Sequence, residues 1–162
     1  MATNREALNQ QLQQIVNSLK EQGILDNQFG IVHSLKEYNS PFFLAEMIPM
    51  FSQNVQTILR DLTRTLEKEP VNYYDLEEYC IKLKGCTSSI GARRMALACV
   101  TLRQAVDNKN KDGCDSALNG MRHEYQNLQS SLDIILEFMM TSQLFMCLTA
   151  MYLSSGHQMQ FL

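Results

Sequence analysis

Apolar residues recur along this chain at alternating intervals of three and four, the spacing that places side chains on one face of an α-helix. Over residues 5–21, Leu8, Leu12, Ile15, Val16 and Leu19 form such a face opposite a Gln- and Asn-rich surface, and Gly23 marks its end. Asp26 offers a side-chain acceptor for a second, shorter helix carrying Phe29, Val32 and Leu35, which should stop around residues 38–40, ahead of Pro41. From Pro41 the stripe Leu44, Ile48, Phe51, Val55, Ile58, Leu62 and Leu66 predicts a long helix of about six turns. Residues 69–72 interrupt it. Leu76, Tyr79, Cys80, Leu83, Thr87 and Ile90 then face inward on a helix ended by Gly91. Met95, Ala98, Cys99, Leu102 and Val106 mark the next helix, and the polar segment 107–113 predicts the turn that closes it. A last long stripe runs through Cys114, Leu118, Met121, Tyr125, Leu128, Leu132, Ile135 and Met139.

Four amphipathic helices in succession with short loops bury their stripes most economically against one another. The expected fold is therefore all-α, an antiparallel four-helix bundle with two additional N-terminal helices. No alternating strand pattern or internal repeat competes with it. One helical domain is expected over residues 1–141. The tail, 142–162, mixes Leu144, Phe145, Met146 and Met151 with Ser154, Ser155, Gly156 and His157, a composition compatible with extending the last helix.

Composition narrows the function. With 162 residues, 45% of them hydrophobic, the chain is long enough for one ordinary core, and low Gly and Pro counts of 7 and 3 suit helices. Fourteen Lys and Arg against seventeen Asp and Glu leave a net charge of −3, without the basic excess that nucleic acid or anionic lipid demands. The longest apolar run, 144–153, is far shorter than the roughly 20 residues of a membrane span. Five cysteines without a C-x-x-C pair argue against a disulfide framework or zinc ribbon, and the N-terminus lacks the apolar stretch of a secretory leader, so cytoplasm and nucleus are expected. Phosphate loops, H-E-x-x-H, calcium loops and a Ser-His-Asp arrangement are absent from the sequence, which argues against an enzyme and calls for no metal or cofactor.

One stretch departs from a plain bundle. At 100° per residue, Ile81 faces away from the inward stripe together with Lys84, Gly85 and Ser88. A glycine inside a helix costs roughly 0.8–1 kcal/mol relative to alanine, so Gly85 serves either tight helix packing or the close approach of another molecule. The twelve residues 81–92, Ile-Lys-Leu-Lys-Gly-Cys-Thr-Ser-Ser-Ile-Gly-Ala, resemble the motif His-Gln-Leu-Lys-Gly-Ser-Ser-Ser-Ser-Ile-Gly-Ala of plant histidine-containing phosphotransfer proteins, with eight positions identical. The resemblance extends over about residues 23–140 and includes the Glu124-Tyr125 pair.

In that family a surface histidine takes a phosphoryl group from the receiver domain of a hybrid histidine kinase and passes it to the receiver of a response regulator. Ile81 stands where that histidine would be. Imidazole has a lone pair that can attack phosphorus, whereas isoleucine has none. The resemblance thus implies a pseudo-phosphotransfer protein, a monomer that docks receiver domains through Ile81, Lys82, Lys84, Gly85 and Ser88. It would dampen a multistep phosphorelay of the cytokinin type by competition. Lys84 aligns with the lysine beside the phosphoryl group; as a bare residue it reads equally as a solvated surface lysine. Lys82, Cys86 and Thr87 replace the motif's glutamine and two serines. His33, His123 and His157 lie outside the motif and are read as surface or boundary residues, and Cys80 and Cys86 as structural thiols. Two other readings are transfer through a non-standard residue and a structural bundle without receiver binding.

Overall fold

The computed structural model describes residues 4–34 and 43–155, which fold into six helices: α1 (Asn4–Glu21), α2 (Asn27–Ser34), α3 (Phe43–Glu67), α4 (Tyr73–Ser89), α5 (Arg93–Asp107) and α6 (Lys111–Ser154). Helix α3 packs on α4 and α6, and α5 packs on the same two, closing the antiparallel four-helix bundle; α1 lies against α6. The fold is all-α, with two N-terminal helices added to the bundle. Leu35 and the expected end of α2 at residues 38–40 lie outside the described residues, as do Pro41 and the tail beyond residue 155.

The stripes meet in one core. Leu12, Val16, Leu44, Ile48, Val55, Leu62, Leu76, Leu83, Leu102, Met121, Leu128 and Leu132 are all buried within it. Leu59 is buried where the periodicity placed Ile58, which is only half-buried. Tyr125 reaches across to α3, where its hydroxyl accepts from Gln56 Nε2 at 3.1 Å and lies 3.3 Å from the Ser52 carbonyl. Its neighbour Glu124 ties α6 to α5 through Arg94 at 2.8 Å.

The helix ends follow from local chemistry. Asp26 Oδ1 accepts the Gln28 amide at 2.8 Å, as expected of an N-cap, and Asn72 Oδ1 accepts the Asp75 amide at 3.1 Å to start α4. Helix α4 stops at Gly91, whose φ of +77° lets its own amide reach the Ser88 carbonyl while the Ala92 amide reaches that of Thr87. The expected turn over 107–113 is shorter in the structure. Lys109 takes the left-handed conformation at φ +50°, Asn110 caps α6 by accepting the Gly113 amide at 3.0 Å, and Gly113 already lies in the first turn of α6. Lys109 therefore makes the turn, and the short polar side chain of Asn110 starts α6 directly after it.

Gly91 also locks the N-terminal helices to the bundle. Its carbonyl accepts the Asp26 amide at 2.9 Å, and a Cβ at this position would lie 2.4 Å from Asp26 Oδ1 and 2.5 Å from the Phe29 nitrogen. Gly91→Ala therefore combines left-handed strain with a backbone clash, and we expect it to destabilise the protein by at least about 2 kcal/mol in urea unfolding.

Candidate functional site

Helix α4 shows two opposite faces. Leu76, Cys80, Leu83 and Thr87 point into the bundle, while Ile81, Lys84, Gly85 and Ser88, spaced at i, i+3, i+4 and i+7, form an exposed stripe. Ile81 is 56% exposed, an apolar side chain standing in solvent at the middle of the helix. This stripe forms one wall of a groove of about 470 Å³ between α4 and α5; Val100, Arg103 and Gln104 form the other wall, and Cys80 and Cys99 the floor.

The structure decides between the two readings of Gly85. A Cβ built there meets nothing within 4 Å among the described residues, so no neighbouring helix among them needs the missing side chain. The glycine leaves the groove open instead.

The charges of the groove differ in their freedom. Arg103 is anchored on its own bundle, with Nη2 2.6 Å from Glu77 Oε1 and Nε 3.0 Å from Asp107 Oδ1. Lys84 is exposed and makes no ion pair among the described residues, so its ammonium is the charge the groove offers to a visitor. Lys82, the fifth residue expected to take part in docking, does not line the groove; its Nζ sits 5.7 Å from the centroid of the Tyr79 ring on the flank of α4.

The groove lacks a nucleophile ready to accept phosphate. Burial pushes the Cys80 thiol up to about 12 and the Cys99 thiol up to about 11, so both stay protonated at neutral pH. Burial also raises half-buried Cys86. Ser88 exposes a hydroxyl, but none of the lining side chains is an imidazole or a carboxylate that would take its proton. His123 is exposed on α6 and does not line the groove, and the His33 side chain and His157 lie outside the described part. No cluster of metal-ligating side chains occurs among the described residues.

Of the five residues expected to dock a receiver, four lie together on one exposed face as their periodicity implies, but periodicity missed the α5 wall. Val100, Arg103 and Gln104 repeat at i, i+3 and i+4 beside the inward stripe, a signal present in the sequence but read there only for its core residues.

A closed antiparallel bundle that displays an exposed Lys-Gly-x-x-Ser stripe in the middle of its second bundle helix has the form that the resemblance to helical phosphotransfer proteins implies. Comparison with known proteins makes this specific: the Hpt domain model matches residues 46–131, and the chain belongs to the Hpt domain family. It is 30% identical over 131 residues to histidine-containing phosphotransfer protein 1 of Oryza sativa subsp. japonica, covering 81% of this chain and 89% of that protein. It is 32% identical over 116 residues to pseudo histidine-containing phosphotransfer protein 2 of the same species, covering 72% of this chain and 77% of that one. Its fold superposes with a TM-score of 0.77 on the crystal structure of a maize histidine-containing phosphotransfer protein, at 30% identity, covering 83% of this chain and 98% of the other.

Proposed function

We propose that this protein is a pseudo-phosphotransfer protein, which binds receiver domains of hybrid histidine kinases and response regulators without carrying phosphate. By occupying those receivers it lowers the flux through a multistep phosphorelay of the cytokinin type. The role belongs in the cytoplasm and nucleus, where such relays run between kinase and regulator.

One observation carries the reading. The chain departs from the family motif at positions 81, 82, 86 and 87, and of these only Ile81 lines the groove. Lys82 lies on the flank over Tyr79, Cys86 is half-buried, and Thr87 is fully buried with its hydroxyl donating to the Lys84 carbonyl at 3.1 Å. Lys84, Gly85 and Ser88 keep the motif's identities at the surface. The α4 wall therefore loses the attacking nitrogen and little else, which separates docking from transfer. Lys84 suits the acidic phosphorylation pocket of a receiver, and Ile81 adds an apolar contact where the imidazole would stand.

Titration calorimetry of the purified protein against receiver domains, run beside incubation with a phosphorylated receiver, tests the proposal. Saturable binding with no phosphate on this chain is the expected result. Phosphate transferred to the native chain would overturn it in favour of an acceptor outside the groove, and absence of binding to every receiver tried would leave a structural bundle.

A further inference from the structure

Met139 is the last buried residue of α6 among the described side chains, yet the helix continues to Ser154. With 44 residues this helix is about 66 Å long, against about 38 Å for the 25-residue α3. From Phe138 to Ser155 the sequence contains no charged side chain. Met140, Leu144, Leu148 and Met151 are each more than half exposed, and Cys147 is exposed among them. At 100° per residue these five lie within an arc of about 100°, and Met140, Leu144, Cys147 and Met151 follow the four-three-four spacing of a coiled-coil seam. A contiguous apolar stripe of this kind standing in water marks an association surface.

We infer that this stripe pairs with the same stripe of a second copy, joining two bundles through an antiparallel pair of α6 extensions. The chemistry favours a second copy over other occupants. A stripe without charge sets no like charges against its own copy, so two copies can bring these faces together without electrostatic repulsion. A lipid surface is less well served, because an interfacial helix relies on basic residues along its polar face, and this segment has none. The exposed carboxylates of Asp133 and Glu137 continue the stripe toward the bundle. A parallel pair would set each against its own copy, whereas an antiparallel pair keeps them apart and places the bundles at opposite ends. The exposed side chains offer on the order of 600 Å² per copy, somewhat less than the roughly 800 Å² per partner of a standard interface. An interface of this size belongs with weak, transient encounters, so the dimer is expected to exchange reversibly with monomer. None of the stripe's residues lines the α4–α5 groove, so the dimer carries two free grooves.

Sedimentation velocity of the full chain between about 1 and 100 μM, with Leu144→Glu/Leu148→Glu as comparison, tests the inference. The native protein should move toward twice the 18.6 kDa chain mass as concentration rises, while the variant stays at one chain mass with unchanged helical circular dichroism. Cys147 lies near the middle of the stripe, so in an antiparallel pair the two copies of it meet near the two-fold axis. A short bis-maleimide should link native chains and fail with Cys147→Ser or with the double variant. A native protein that stays monomeric throughout overturns the inference, as does a dimer that survives both Glu substitutions. Binding of the native monomer to phosphatidylcholine vesicles, lost in the double variant, would overturn it in favour of a lipid occupant.

Discussion

Ile81→His is expected to give the proposed receiver-binding protein a phosphate acceptor, so that the variant takes up phosphate from phosphorylated receivers. The variant supplies the missing nucleophile at a position that is 56% exposed, flanked by the free ammonium of Lys84 and by the open space beside Gly85. In the step restored, an imidazole nitrogen attacks phosphorus and the new P–N bond forms as the P–O bond to the receiver aspartate breaks, leaving that side chain as a carboxylate. Incubation with a radiolabelled phosphoreceiver should give label on the variant and none on the native chain, and the label should be lost in acid and kept in base, as a phosphoramidate requires. Because Lys82, Cys86 and Thr87 lie outside the groove, restoring position 81 alone should suffice. A variant that binds receivers but stays unlabelled would mean that one of those three substitutions also disables transfer, against the placement seen here.

Much of this site was legible in the sequence because an α-helix converts spacing into direction. Ile81, Lys84, Gly85 and Ser88 share a face by periodicity alone, and the buried faces of α3 to α6 followed from the same rule. What spacing cannot supply is the neighbour across a groove. The α5 wall of Val100, Arg103 and Gln104 depends on how two helices are rotated against each other, which packing of both cores sets together. Adjacent apolar residues caused the same difficulty on α3, where Ile58 and Leu59 both fit the stripe and only the packing against neighbouring helices chose Leu59. Ile24 and Leu25 are buried between α1 and α2 although no periodic stripe includes them, since the five-residue linker 22–26 has no helical face to read. The turn before α6 is shorter than the polar segment 107–113 because Lys109 takes the left-handed conformation and Asn110 caps the next helix at once, which puts Gly113 inside α6.

Gly85 gives the sharpest separation of stability from docking. Its missing side chain leaves open space, so Gly85→Ala should remove the helix-interior cost of glycine and stabilise the fold by roughly 0.8–1 kcal/mol, raising Tm by about 2–4 °C. Gly85→Trp should fold equally well, since a side chain there projects into solvent, but it fills the space a receiver needs and should abolish measurable binding. Lys84→Glu should weaken binding by at least about 30-fold, equivalent to about 2 kcal/mol, because it sets a carboxylate against the receiver's acidic pocket. Its effect on unfolding should stay within about 0.5 kcal/mol, as Lys84 has no ion pair to lose among the described residues. Calorimetric titration and thermal unfolding on the same samples distinguish these outcomes. If Gly85→Trp and Lys84→Glu both bind receivers with native affinity, the α4–α5 groove is not the docking surface, and the open space beside Gly85 has no functional reason. If binding falls while Tm holds or rises, the glycine is kept against its cost to the helix, for the sake of the surface it leaves clear.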